Sequence, residues 1–166
     1  MLKGIAASSG IGIGKAVVIS QKEMKVVRRT VRDTKAELHR FADAVDTFCN
    51  QIAKAGAVAT QNFGESEAGI VTYQNLIVQD VILQEEVTER VEKNAENAEY
   101  AFSQVIDSYI AQFSLLEDEL MKSRAADLRD IKNRLLSILA GSDFLDIGSL
   151  PAGCVLVAED LSASHI

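Results

Sequence analysis

Proline, tryptophan and cysteine are scarce in this sequence of 166 residues. Pro151 is the one proline, there is no tryptophan, and aromatic residues make up 5%. Because proline is the strongest helix breaker, its near absence leaves long stretches open to helix formation. Hydrophobic residues account for 48% and charged residues for 25%, which is typical of a folded globular protein and excludes global disorder.

Long hydrophobic runs are missing as well. The longest uncharged stretches, residues 68–79 and 147–158, fall short of the ~20 apolar residues that a membrane-spanning helix needs. The first residues lack the apolar segment of a secretory signal peptide. Cys49 and Cys154 match no metal-ligand spacing, which favours two reduced thiols. We therefore expect a cytoplasmic protein without membrane contact or a bound metal.

Positive charge is also in deficit, since the net charge is −7. Residues 1–30 are basic, whereas residues 31–166 carry the acidic excess. Binding to a nucleic acid requires a basic face, so this balance argues against a nucleic-acid partner. It suits a basic protein partner better.

Hydrophobic periodicity predicts a helical region over residues 31–141. The first helix begins at Asp33 or Thr34, ends near Gly64, and should bury one face. A second, from Glu65 to Asn94, loses its apolar phase around residues 79–81, where we expect a kink or break. Two more helices are predicted over residues 95–116 and 118–140, with Gly141 as the stop. The face predicted for the first helix comprises Leu38, Phe41, Val45, Phe48, Ile52, Ala55, Ala59 and Phe63.

Both ends of the chain have strand character. Residues 2–6, 15–20 and 154–158 are short apolar runs, and residues 25–29 are a further possible strand. The continuous run Val17 to Ile19 is typical of a strand buried on both faces. Together these patterns predict an α+β, mainly α chain: an antiparallel four-helix bundle with a kinked second helix, inserted into a small α/β unit. The predicted parts are residues 1–30 with 142–166, and residues 31–141.

The motifs that could carry chemistry are weak. The segment SSGIGIGK (8–15) has neither the spacing of a phosphate-binding loop nor that of a dinucleotide-binding loop, so a glycine-rich turn is favoured. His39 is predicted to lie on an exposed helix surface. His165 is next to the last residue, where fraying is the default.

Three stretches resemble the N-terminal domain of Enzyme I, the phosphoenolpyruvate–protein phosphotransferases of the bacterial sugar phosphotransferase system. They are LKGIAASSGIGIGKAVVI (2–19), DELMKSRAADLRDIKNRLLSILAG (118–141) and VLVAEDLSAS (155–164). Their order and spacing also fit. The resemblance implies that the α/β part is a phosphohistidine unit of which the first strands are present, and that the helical part docks the carrier protein HPr.

In this family a histidine in a GGxTSH context takes phosphate from phosphoenolpyruvate and passes it to HPr. The sequence ends at Ile166, before that position, so we expect no catalytic residue here and no activity from this chain alone. The donor and Mg²⁺ bind a separate C-terminal barrel in the family, through which full-length relatives dimerise. We therefore expect no cofactor in this stretch. His165 lacks the preceding glycine pair and is not expected to be the phosphate acceptor.

The resemblance also places a docking face on the second helix and its neighbours. Thr72, Gln74, Val81 and Ile82 stand where the family often has charged residues or histidine, and Val81 and Ile82 have the alternative of facing the core. Two other functions stay open: a stand-alone helical adaptor that binds a regulatory protein, and a fragment of a relative of pyruvate phosphate dikinase. The candidate HPr-binding residues are Glu65, Glu67, Gln74, Leu76, Ile77, Phe113 and Arg124.

Overall fold

The computed structural model describes residues 8–19, 25–63, 68–116, 118–141 and 150–158. The chain divides into two compact units. Two distant segments, Met1–Lys22 and Leu145–Ile166, form the first unit, and Glu23–Phe144 forms the second. The functions predicted for the two parts of the chain stay predictions.

The first unit contains a parallel pair of strands, β1 (Ala16–Ile19) and β2 (Val155–Ala158). Ala16 pairs with Val155 and Ile19 with Ala158. Gly14 lies so close to the carbonyl of Gly153 that a side chain would collide with the backbone there, which explains a glycine beside β1. Strands are thus confirmed within residues 15–20 and 154–158, and the strand predicted at 2–6 lies outside the described residues.

The prediction that β1 is buried on both faces is wrong, because the side chain of Val18 is exposed. Val157 on β2 is exposed too. A continuous apolar run does not distinguish a central strand from one in a two-stranded pair, where residues on one face can remain in solvent.

The second unit is helical and is called the helical unit below. The predicted break in the second helix is confirmed, since one helix ends at Val78 and the next begins at Val81. With that helix counted as two, the helical unit contains α1 (Thr34–Phe63), α2 (Ala68–Val78), α3 (Val81–Asn94), α4 (Ala98–Ser114) and α5 (Glu119–Leu139). None of the helices within the described ranges is both long and apolar enough to cross a membrane.

Polar side chains and a glycine define the helix ends. The carboxylate of Asp33 accepts a hydrogen bond from the amide of Ala36 at 3.0 Å and caps α1. Asp80 caps α3 by accepting from the amides of Ile82 and Leu83, both at 3.0 Å. Gly141, two residues after the end of α5 at Leu139, has a φ of +64°, the left-handed conformation that favours glycine. The predicted start of α1 and stop of α5 are confirmed.

Asp80→Ala should lower the free energy of unfolding of the helical unit by about 1 kcal/mol, because it leaves two amides at the start of α3 without their acceptor. Urea unfolding followed by the helical circular dichroism signal measures this loss. Asp46→Ala is the control, since Asp46 is exposed in the interior of α1. Equal losses in the two variants would contradict the capping role.

The core of the helical unit is centred on α4. Phe102 and Ile106 are fully buried, and the Phe102 ring lies 6.0 Å from the ring of Phe41 on α1. The predicted face of α1 is correct up to Ile52, but Ala55 is exposed, while the neighbouring Gly56 is buried. Small residues carry too little hydrophobic signal to locate the face there. The buried apolar residues of α1, α4 and α5 are Phe41, Ala44, Val45, Phe48, Ile52, Ala98, Ala101, Phe102, Val105, Ile106, Ile110, Ala125, Leu128, Ile131, Leu135, Leu136 and Leu139.

Residues 25–29 do not form the possible strand. They form an extended strap that runs into a single antiparallel bridge between Thr30 and Glu96. The amide of Asn97 donates to the carbonyl of Arg29 at 3.1 Å, and the Asn97 side-chain oxygen accepts from the amide of Arg29 at 2.7 Å. The backbone of this strap is thus bonded to the α3–α4 turn rather than to another strand.

Candidate functional site: an apolar surface at the α2–α3 break

Three large apolar side chains are exposed around the α2–α3 break. Leu76 is 63%, Val81 67% and Ile82 61% exposed, and we call these three residues the helix-break surface. Val78, between them in sequence, is fully buried and anchors the break to the core. The alternative that Val81 and Ile82 face the core is therefore wrong. Large apolar side chains that are exposed and this close along the chain make the break a candidate protein-binding surface.

Hydrogen bonds within the chain hold the break in a defined shape. In addition to the Asp80 cap, the side-chain amide of Gln84 donates to the carbonyl of Val78 at 3.1 Å. This bond satisfies one of the carbonyls that the end of α2 leaves without a helical partner. The helix-break surface is thus presented on a bonded framework, which lowers the entropy cost of binding.

An arginine–aromatic stack lies beside this surface. The guanidinium carbon of Arg124 on α5 is 4.4 Å from the centre of the Tyr73 ring on α2. Asp127, one turn along α5, accepts a hydrogen bond from Arg124 Nη1 at 3.2 Å. Tyr73 and Leu76 are three residues apart on one helix and so share a face. The stack therefore borders the helix-break surface.

The α4–α5 turn adds two further exposed apolar residues, Leu115 and Leu116. Both leucines come shortly before the start of α5 at Glu119. Arg124 lies about 8 Å further along α5 from Glu119, since an α-helix rises 1.5 Å per residue. Sequence reasoning missed both leucines. The available signal was a pair of leucines just beyond the apolar face of α4.

The structure separates the predicted binding residues into three groups. Leu76 and Arg124 are accessible at the surface. Gln74 is only 6% exposed, and Ile77 and Phe113 are half-buried against the core. Glu65 and Glu67 lie outside the described residues. These seven residues stay predicted binding residues, with Leu76 and Arg124 the most available to a partner.

An ionic cluster lies at the opposite end of α4 and α5, and we call Glu37, Arg40 and Glu99 the ionic cluster. Arg40 Nη2 donates to Glu37 Oε1 at 2.6 Å and to Glu99 Oε2 at 2.8 Å. Arg40 Nη1 donates to the carbonyl of Leu139 at 2.8 Å. A cation at that position is favourable because the C-terminal end of a helix carries partial negative charge. The cluster thus joins α1, α4 and the end of α5.

Charge and burial set the pKa values in this cluster. Burial is the largest single effect on the two glutamates and opposes their ionisation. Hydrogen bonds from Arg40, from the Ala98 amide to Glu37 and from Asn97 to Glu99, together with the charge of Arg40, outweigh it, so the pKa of Glu37 and that of Glu99 lie below their usual values. The hydrogen bonds to Glu37 and Glu99 raise the pKa of Arg40 above its usual value. Near neutral pH, all three groups are charged.

The described residues offer little for covalent chemistry. His39 is exposed and lies 3.6 Å from the equally accessible Asp43, as predicted for a surface histidine. Burial, with a contribution from Asp46, raises the pKa of the Cys49 thiol, which disfavours the reactive thiolate. Within the described ranges, no three His, Cys, Asp or Glu side chains are placed to hold a metal ion. The geometry of the described residues therefore fits a surface that binds a partner better than a site of covalent chemistry.

Comparison with known proteins gives concordant results. The family model described as PEP-utilising enzyme, N-terminal, matches residues 3–124. The phosphoenolpyruvate-protein phosphotransferase of Mycoplasma capricolum is 31% identical, with 99% of this chain and 29% of that protein aligned. The one from Geobacillus stearothermophilus is 34% identical, with 98% of this chain and 28% of that protein aligned.

Solved structures agree in fold. An NMR solution structure of an Enzyme I protein superposes with a TM-score of 0.85 at 30% identity, covering 99% of this chain and 67% of that one. The N-terminal domain of a nitrogen Enzyme 1 gives a TM-score of 0.71 at 26% identity, covering 89% of this chain and 61% of that one. The chain spans less than a third of the length of the curated relatives. It therefore belongs to the family of PEP-utilising enzymes, within which it matches the N-terminal domain of the phosphoenolpyruvate–protein phosphotransferases.

Proposed function

We propose that the helical unit docks the phosphocarrier HPr for a phosphoenolpyruvate–protein phosphotransferase of the sugar phosphotransferase system. The helix-break surface is the observation that carries this proposal. In such an enzyme, phosphoryl passes from phosphoenolpyruvate to a histidine of HPr. We assign to this chain the docking of the carrier, in the cytoplasm, and we assign donor binding, Mg²⁺ and dimerisation to another domain of the full-length protein.

The exposed apolar side chains of the helix-break surface suit the centre of a protein interface. A few buried apolar or aromatic side chains supply most of the affinity of an interface, and polar groups at the rim mainly affect association rate and specificity. Leu76, Val81 and Ile82 provide such a centre. The acidic residues Glu65 and Glu67 are proposed for the rim, where they would attract a basic carrier.

Leu76→Asp tests the proposal. It places a charge at the apolar centre of the interface, so we expect affinity for HPr of the source organism to fall at least about 30-fold. Isothermal titration calorimetry measures the affinity. Leu76 is a cleaner probe than Ile77, whose contact with the core would mix binding with stability.

Val27→Asp is the matched control, because Val27 is 65% exposed and lies in the strap near the α3–α4 turn. It should bind HPr like the parent. NMR shift mapping should show HPr-induced changes at residues 73–82. If HPr leaves these residues unchanged, or if Leu76→Asp binds normally, the docking assignment is wrong and the adaptor function becomes the better hypothesis.

A further inference from the structure

The stack of Arg124 on Tyr73 joins two helices that are distant in sequence. Arg124 lies on α5, Tyr73 lies on α2, and the guanidinium carbon is 4.4 Å from the ring centre, well within the ~6 Å range of a cation–π interaction. The side chain of Arg124 is 38% exposed and that of Asp127 is 40% exposed. An ion pair as exposed as this one contributes little to folding stability. The arrangement is therefore well placed to serve binding rather than folding.

Stacking has a specific consequence for an arginine. A long, flexible side chain loses conformational entropy when a partner immobilises it, and arginine is among the residues with the most to lose. The guanidinium carbon lies over the Tyr73 ring, 4.4 Å from its centre, and Asp127 accepts a hydrogen bond from Nη1. Because a guanidinium carries five N–H donors and a cation–π contact uses the charge rather than an acceptor atom, Arg124 retains donor capacity for a further hydrogen bond. Arg124 is held in advance of binding.

We propose that Tyr73 is a positioning residue that fixes Arg124 at the border of the helix-break surface, where the guanidinium edge hydrogen-bonds an acceptor oxygen on the docked carrier. This inference rests on the proposed docking function. Tyr73 and Leu76 share one face of α2, so a carrier that covers Leu76 also comes within reach of Arg124. Tyr73 then contributes to affinity through Arg124.

The experiment compares HPr titrations of the parent, Tyr73→Leu and Tyr73→Phe. Loss of the ring in Tyr73→Leu should weaken binding about fivefold, the size expected for one partly exposed cation–π contact. Tyr73→Phe keeps the ring face and should bind within about twofold of the parent. Loss of affinity in both variants to the same extent would overturn the role of the ring.

A double-mutant cycle separates positioning from a general structural effect. In an Arg124→Met background, Tyr73→Leu should have no further effect on HPr affinity. An undiminished fivefold effect in that background would show that Tyr73 acts without Arg124 and would overturn the inference. Thermal unfolding of each variant checks folding, and Tyr73→Met replaces Tyr73→Leu if the leucine variant is unfolded.

Different results would contradict the docking of HPr and the positioning of Arg124 by Tyr73. A parent protein that does not bind HPr contradicts the docking function itself. A parent that binds HPr, together with a Tyr73→Leu variant of unchanged affinity, leaves docking intact and overturns only the positioning role of Tyr73.

Discussion

Arg40→Met should lower the free energy of unfolding of the helical unit by about 2 kcal/mol at neutral pH, less than for a fully buried ion pair because the Arg40 side chain is 37% exposed and partly screened by solvent. The side chains of Glu37 and Glu99 are only 13% and 14% exposed, so without Arg40 two nearby carboxylates remain in a poorly hydrated site. The carbonyl of Leu139 loses its donor as well. Urea unfolding measures the loss.

The pH dependence of this loss identifies its cause. In the parent, the pKa of Glu37 and that of Glu99 are lowered, so their stabilising contribution is present above the usual carboxyl pKa and disappears as pH falls through the lowered folded values. In Arg40→Met, the pKa of each glutamate should be higher than in the parent, because burial and mutual repulsion remain while the Arg40 contacts are lost. Protonation of these carboxylates at acid pH should then remove part of the destabilisation of the variant. Arg29 keeps one cation near Glu99, at 3.4 Å. The gap between parent and variant should therefore narrow from pH 7 to pH 4.

Two further variants check this account. Arg40→Lys keeps the charge but lacks the planar fork that reaches Glu37, Glu99 and Leu139 together, so its loss should be intermediate. Lys93→Met removes an exposed partner of Glu89 and should leave the free energy of unfolding nearly unchanged, because solvent screens this pair. A gap that is constant or widens in acid would contradict the ionic explanation.

Phe102→Ala should destabilise the helical unit by about 4 kcal/mol, the largest effect that we expect from a single truncation in this chain. Phe102 is fully buried on α4 and packs against the Phe41 ring. Truncation removes the apolar surface of the ring and leaves a cavity, since a close-packed core can collapse only in part. The midpoint of urea unfolding reports the loss if its slope is unchanged.

Leu115→Ala is the matched control for Phe102→Ala, because Leu115 directly follows α4 but is exposed. Its cost should stay within about 0.5 kcal/mol. A Phe102→Ala variant as stable as the Leu115→Ala variant would show that α4 is not at the centre of the core.

The helices were predictable because their pattern is local. An apolar residue every three or four positions identifies the buried face of α1 as far as Ile52, and Asp33 and Gly141 identify the start of α1 and the stop after α5. The loss of phase near Asp80 correctly located the break. The strand considered for residues 25–29 was wrong. Their sequence pattern is compatible with a strand, but their hydrogen-bond partners lie on the α3–α4 turn, which is distant in sequence.

The contacts that characterise the site are not local, and the sequence pattern could not predict them. The resemblance placed Arg124 near the partner, but its stack on Tyr73 depends on how α2 packs on α5. In the same way, Glu37 and Arg40 lie three residues apart on α1, but Glu99 joins them only through tertiary packing. The burial of Gln74 has the same origin.

The pairing of β1 with β2 has a consequence for the order of events during synthesis. A ribosome makes the chain from its N-terminus, so β1 emerges before the helical unit and β2 emerges after it. The helices form contacts among neighbouring segments quickly, whereas the parallel pair must close a loop that contains the entire helical unit. During translation, β1 therefore has an unpaired edge until the last of the helices has been made, and this interval is when the nascent chain is most open to wrong strand partners.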